Sequence, residues 1–169
     1  MMLARSSLNA KTKNIMDLTI QKKLLNLLDD FDSIALFASF NSEINLWPVI
    51  EKLCWTKKVC LPRVEGNDMN FYYIQSQDDL EQSKFGILEP KVECEKACKS
   101  SSDIIIVPML AFDLNLFRIG YGGGYYDRYL QDYDGYALGL AYSFQCVDTI
   151  PIEDHDVKCD AIMTEKDKL

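Results

Sequence analysis

Residues 103–110 read Asp-Ile-Ile-Ile-Val-Pro-Met-Leu, and this run constrains the fold more than any other stretch. β-Branched side chains favour extended backbone, and an unbroken apolar run leaves no face for water. Such a strand must be covered on both sides, as a central strand of a parallel sheet is. Shorter apolar runs lie at 33–40 (SIALFASF), 58–64 (KVCLPRV), 69–74 (MNFYYI, read as an edge), 136–142 (YALGLAY) and 161–164. Three segments between them have helical spacing. They are the first 30 residues with Leu18, Leu24, Leu25 and Leu28, residues 46–55 with Pro48 near the first turn, and residues 125–133. Residues 78–84 read as one or two helical turns, and 86–90 as a loop punctuated by Gly86 and Pro90. Strands alternating with helices predict an α/β fold. The expectation is a single three-layer domain over residues 1–169, with a mostly parallel, Rossmann-like sheet.

Charge and cysteine usage narrow the function. Asp plus Glu number 26 against 18 Lys plus Arg, a net charge of -8. Such a chain repels phosphate backbones, so nucleic-acid binding is not expected, although one basic pocket would suffice for a small phosphate. Cysteines stand at 54, 60, 94, 98, 146 and 159. Without a signal peptide they read as reduced thiols of a cytoplasmic protein. Cys94 and Cys98, with His155 as the lone histidine, make a poor zinc site. The longest apolar run, 104–112, is far too short to span a membrane.

The chemistry concentrates after the best strand. Four of the eight glycines, Gly120, Gly122, Gly123 and Gly124, fall within five residues and precede a helix. Glycines permit positive φ and close approach of backbone amides to a ligand, so the run reads as a phosphate cradle, or else as a tight turn. Arg118 stands beside it to neutralise charge. No Gly-Lys-Ser/Thr follows, and Tyr125 occupies the third glycine of a dinucleotide fingerprint. Asp127 suits either the helix dipole or a Mg²⁺ beside bound phosphates, and the residues alone leave both open. Tyr121 and Tyr125 could wall a pocket for a flat heterocycle, whereas Tyr126, Tyr129 and Leu130 have core spacing. Glu153, Asp154, Asp156 and Asp160 around His155 read as a solvated loop, unless the fold carries Asp156 to the glycines.

Residues 107–130, VPMLAFDLNLFRIGYGGGYYDRYL, resemble the signature of the 5-formyltetrahydrofolate cyclo-ligase (methenyltetrahydrofolate synthetase) family. That family shows Val-Pro-Gly-Leu-Ala-Phe-Asp followed by Arg-Leu-Gly-x-Gly-x-Gly-Tyr-Tyr-Asp. Further landmarks agree in order: residues 39–44, Leu61-Pro62-Arg63, Phe85-Gly86-Ile87-Leu88-Glu89-Pro90, and residues 151–156 with Asp160 and Thr164-Glu165 beyond. The resemblance runs from about residue 30 to the C-terminus.

The resemblance implies a fold similar to the sugar-phosphate isomerase and coenzyme A transferase folds. It implies ATP- and Mg²⁺-dependent closure of 5-formyltetrahydrofolate to 5,10-methenyltetrahydrofolate, by phosphorylation of the formyl oxygen. The partners would be a reduced folate and ATP, and the protein a monomer or weak dimer. By position, nucleotide contacts fall on Arg118, Ile119, Gly120, Tyr121, Gly122, Gly123, Gly124, Tyr125 and Tyr126. Folate contacts fall on Phe40, Glu43 and Asn45 with Tyr121, Gly122, Gly123, Gly124 and Tyr125. The metal acids match Asp127 and Asp156, and Arg118 and Tyr125 are the catalytic candidates. The alternative is a non-catalytic binder of folate or nucleotide. Three departures stand out. The family's Lys-x-x-Leu-Arg helix start is missing from MMLARSSLNAKTKN, leaving Arg5, Lys11 or Lys13 to substitute. Leu116 and Met109 stand where the family has glycines.

Overall fold

Asn9 opens the first long helix by accepting a hydrogen bond from the Thr12 amide at 2.8 Å. In the computed structural model, which describes residues 5–84 and 86–169, this helix, α1, runs Ala10–Leu28. Residues 1–4, the start of the expected helix, and Phe85 of the Phe-Gly-Ile landmark lie outside the described residues. Ile20, Leu24 and Leu28 are buried one above the other. Leu18, which the spacing had also placed inward, faces solvent at 55% exposure, because the buried stripe steps by four from Ile20.

The chain continues through β1 (Ser33–Ala35), α2 (Trp47–Leu53), β2 (Lys58–Glu65), β3 (Asp68–Ile74), β4 (Leu80–Gln82) and β5 (Leu88–Pro90). It closes with β6 (Ile104–Pro108), β7 (Ala111–Phe112), β8 (Arg118–Ile119), α3 (Tyr125–Leu130), β9 (Tyr136–Leu140) and β10 (Ala161–Met163). The main sheet has the order β10-β9-β6-β1-β2-β3. Every pair in it is parallel except β2–β3, a hairpin that puts β3 at the edge, as expected.

Strand β6 explains the layering. Ile104 and Ile106 enter one apolar cluster with Ile20, Leu24 and Leu28 of α1 and Val49 and Ile50 of α2. Ile105 and Val107 enter the opposite cluster with Phe71, Tyr129 and Leu130. All four β6 side chains are fully buried, each contributing about 1.5–3 kcal/mol of apolar burial. Gly139 of β9 makes room for the methionine that follows β6. A Cβ there would collide with Met109 Cε and stand 3.0 Å from Ile162 and 3.2 Å from Cys159 Sγ.

Three local expectations change. The run 33–40 pairs only as far as Ala35, with one further ladder bond from Leu36 to Cys60 O, after which the buried chain leaves the sheet. Residues 78–84 do not form a helix. Ser76 caps a single turn over Gln77–Asp79, and the buried Leu80 then starts β4. The expected loop at 86–90 holds β5, which pairs antiparallel with β4. Pro90 fits there because the flanking ladder bond is supplied by Lys91, whose amide donates to Asp79 O.

Candidate active site

Loops leaving the C-terminal ends of β1, β6 and β9 gather at one edge, where open parallel sheets place ligands. The β7–β8 hairpin shapes the one that leaves β6. Asp113, 1% exposed, accepts from the amides of Asn115, Phe117 and Ile150, which fixes the turn and ties it to the segment after β9. The glycine loop follows β8. Gly122 and Gly124 have φ of 89° and 62°, which other residues rarely adopt. A Cβ at Gly120 or Gly122 would meet nothing within 4 Å, so that side of the loop is open. Among the described residues nothing accepts from the amides of Gly122, Gly123 or Gly124.

Arg118 and Asp127 are brought together across this loop. Arg118 Nη2 donates to Asp127 Oδ1 at 2.9 Å, and Nη1 donates to Val157 O. The Arg118 side chain is 3% exposed, and Asp127 Oδ1 also accepts from the Val157 amide. Asp127 Oδ2 carries no hydrogen bond among the described residues. The segment holding Asp156 therefore does reach Asp127, but the Asp156 carboxylate itself accepts from the Glu153 amide at 2.8 Å. No cluster of three potential metal ligands occurs among the described residues. Two carboxylates nevertheless suit Mg²⁺, which takes few protein ligands and completes its shell with phosphate and water. Glu153, Asp154 and His155 are exposed, as a solvated loop should be.

The tyrosines divide. Tyr129 is core, as expected. Tyr126 puts its hydroxyl in a buried spot where it has no hydrogen-bond partner among the described residues, and burial pushes its pKa well up. Tyr125 leans to the β2–β3 turn, its hydroxyl 3.4 Å from Gly66 O and Arg128 lying over its ring. Tyr121, 54% exposed, reaches the opposite way. Its hydroxyl donates to Glu43 Oε1 at 2.7 Å and accepts from Arg5 Nη2 at 2.6 Å.

Glu43 sits in the loop leaving β1. Asn41 turns the chain there with φ of 53°, and the Phe40 amide donates to Glu43 Oε2 at 2.9 Å. Glu43 is 8% exposed, and burial raises its pKa against the lowering effect of the Phe40 amide, the Tyr121 hydroxyl and the Arg5 charge. The Asn45 side chain accepts from the Trp47 amide, and its carbonyl accepts from Gln21 of α1. Ile119 is exposed at the rim.

A polar ring that sequence reasoning missed supports this geometry. Lys13 of α1 donates to Glu43 O at 2.8 Å and to Asp17 at 2.7 Å. Asp17 accepts from the Tyr142 hydroxyl at 2.6 Å. Past β9, the Tyr142 amide donates to Gln145, whose side-chain amide donates to Met109 O and Leu110 O. Arg5 Nη1 donates to the same Met109 O at 3.2 Å, which closes the ring through Tyr121 to Glu43. The i,i+4 spacing of Lys13 and Asp17 was the one visible signal.

The model of the 5-formyltetrahydrofolate cyclo-ligase family matches residues 1–165. The chain belongs to that family. It is 34% identical over 141 residues to the 5-formyltetrahydrofolate cyclo-ligase of Escherichia coli (strain K12), covering 78% of this chain and 77% of that one. It is 33% identical over 164 residues to that of Haemophilus influenzae, covering 90% and 87%. The NMR structure of Aquifex aeolicus 5,10-methenyltetrahydrofolate synthetase superposes with a TM-score of 0.87 at 34% identity, over 98% of this chain and 86% of that one. The Mycoplasma pneumoniae synthetase shares the fold, with a TM-score of 0.79 at 24% identity.

The two glycine departures from the cyclo-ligase pattern now have a structural reading. Leu116 keeps the left-handed backbone of the usual glycine, with φ of 70°, at a cost of about 1–2 kcal/mol. Its carbonyl accepts from the Cys159 amide, so the turn is held from outside. Met109 fills the space that Gly139 leaves. Of the basic residues named near the start, Arg5 is 4% exposed and reaches Tyr121 of the glycine loop, and Lys13 reaches Glu43 O.

Proposed function

We propose that this protein closes 5-formyltetrahydrofolate to 5,10-methenyltetrahydrofolate, using ATP and Mg²⁺ and releasing ADP and phosphate. The observation that carries the reading is the Tyr121–Glu43 hydrogen bond. It joins the glycine loop, the nucleotide candidate, to the β1 loop, the folate candidate, within one 2.7 Å contact. Phosphoryl transfer depends on positioning and charge neutralisation more than on covalent chemistry by the protein. A formamide oxygen leaves poorly, and phosphorylation converts it to a good leaving group before the neighbouring folate nitrogen attacks.

The residues divide that work. Amides at Gly122–Gly124 that have no acceptor among the described residues, and the open side of Gly120 and Gly122, offer a cradle for phosphate oxygens. Arg118 holds Asp127 and the segment before Val157 in register, so its part is to set the loop. Arg5 supplies a buried positive charge at the meeting point. Glu43 accepts from the N–H groups of the pterin, while Phe40 flanks the ring; Tyr125, expected beside it, leans away to Gly66. Asp127, with Asp156, would hold Mg²⁺, which supplies neutralisation of the phosphate charge. No helix of the described residues is long and apolar enough to cross a membrane, and free thiols throughout fit the cytoplasm.

The test follows the near-ultraviolet absorbance of methenyltetrahydrofolate. Pure protein, 5-formyltetrahydrofolate and Mg²⁺ should give a rising trace only when ATP is added. A flat trace from protein shown to be folded would overturn the assignment.

A further inference from the structure

Each oxygen of the Glu43 carboxylate already accepts one hydrogen bond within the protein. Oε2 accepts from the Phe40 amide and Oε1 from the Tyr121 hydroxyl. A pterin offers N–H donors, and although each oxygen keeps a second lone pair, these donors compete with the two already in place. The Phe40 donor is main chain in a tight turn and cannot leave. The Tyr121 side chain is more than half exposed and can rotate into solvent.

Arg5 strengthens the Tyr121 contact. It donates to the phenol oxygen at 2.6 Å and lies 5.8 Å from the ring centre. A hydroxyl that accepts from a cation becomes a better donor, so the Arg5–Tyr121–Glu43 chain is cooperative. Burial pushes the Tyr121 phenol up to about 12, so it keeps its proton at neutral pH. Arg5 makes no direct ion pair among the described residues, and Glu43 acts on it only across the Tyr121 hydroxyl. Among the described residues no carboxylate lies within ion-pair distance of it. Its acceptors are neutral, Met109 O and Tyr121 Oη, and its buried Nε has no partner among the described residues. A guanidinium fork matches phosphate oxygens bidentately, with charge on both partners, which neutral acceptors do not offer. A phosphate on the open side of the glycine loop is therefore the better partner for Arg5.

We propose that the Tyr121 hydroxyl is a latch on Glu43, held by Arg5 and released when a nucleotide phosphate draws Arg5 away, so that nucleotide and folate bind with positive coupling. The proposal rests on the cyclo-ligase reading of the site. It gives the latch a use: Glu43 loses a competing donor, and so binds folate more strongly, when the phosphoryl donor is in place. The coupling is reciprocal, so folate tightens nucleotide by the same factor.

The experiment measures the dissociation constant of 5-formyltetrahydrofolate by calorimetry, with and without Mg²⁺ and a non-hydrolysable β,γ-imido analogue of ATP. In the unmodified protein the analogue should tighten folate about five- to tenfold. Tyr121→Phe keeps the ring and removes only the hydroxyl. It should tighten folate by a similar factor without the analogue, and the analogue should then add less than about twofold. Arg5→Met should also abolish the coupling, with circular dichroism melts confirming the fold of both variants. Weaker folate binding in Tyr121→Phe would make the hydroxyl a folate ligand and overturn the latch. Undiminished coupling in that variant would overturn it too. If the unmodified protein binds no folate in either arm, the cyclo-ligase reading falls first and takes the latch with it.

Discussion

Arg118 and Arg5 stand at two ends of one site and are held in opposite ways. Arg118 is paired within its own signature, to Asp127 nine residues on and to Val157 O, and both contacts are satisfied before any ligand arrives. Arg5 is as deeply buried, yet it faces a carbonyl and a phenol, with one N–H that has no partner among the described residues. A buried cation with only neutral acceptors is a standing cost that an anion relieves. The first arginine is a strut and the second a vacancy for charge. Two arginines in one site need not share a role, and what distinguishes them is whether the protein already supplies the counter-ion.

The comparison breaks most visibly at the strut. Arg118→Ala leaves the Val157 carbonyl and Asp127 without their partner, and should cost about 3 kcal/mol of stability with a 100- to 1000-fold loss of turnover. Thermal melts and initial rates check this. Arg118→Lys should recover little, since one ammonium cannot reproduce the fork. If turnover falls while the melt is unchanged, Arg118 contacts the reacting groups and is no strut.

The next effect concerns the support beneath Glu43. Lys13→Met should raise the KM for folate about tenfold while kcat and the KM for ATP stay within about twofold. A rise in the KM for ATP instead would make Lys13 a phosphate ligand and align it with Arg5.

The smallest effect is a pH signature. Burial raises the Glu43 pKa above its ordinary 4.5, so the folded state holds that proton more tightly than the unfolded chain does. The contribution is fully present below 4.5 and is lost as pH rises through the raised value. Melting temperatures of the unmodified protein and Glu43→Gln, compared from about pH 4 to pH 8, should therefore diverge in favour of the variant as pH rises. Parallel profiles would show that Glu43 is not strained by burial.

What was legible in the chain followed from locality. The β6 run, the glycine loop and the edge position of β3 announce themselves over five to eight consecutive residues, and the structure places them as read. Arg118 and Asp127 were legible as a pair of candidates for the same reason. The short β4–β5 ribbon was not, because Leu80 and Pro90 lack strand propensity and are paired only by what packs around them. The polar ring was invisible for a different cause. Lys13, Glu43, Met109, Tyr121, Tyr142 and Gln145 come from separate loops and helices, and no spacing rule connects them. Arg5 was named among the available basic residues, but that it reaches residue 121 is a consequence of tertiary packing alone.

Gly139 carries a consequence for inheritance and engineering. It lies on the interior strand β9, remote in kind from anything that touches a ligand. Yet it sets where Met109 rests, and the Met109 carbonyl anchors both Arg5 and Gln145. A bulkier residue there would displace the seat of a cation rather than merely loosen the interior. Positions 109 and 139 should therefore drift together, a small residue at one licensing a large one at the other, and a change at either alone would surface as a binding defect in a protein that still melts cooperatively.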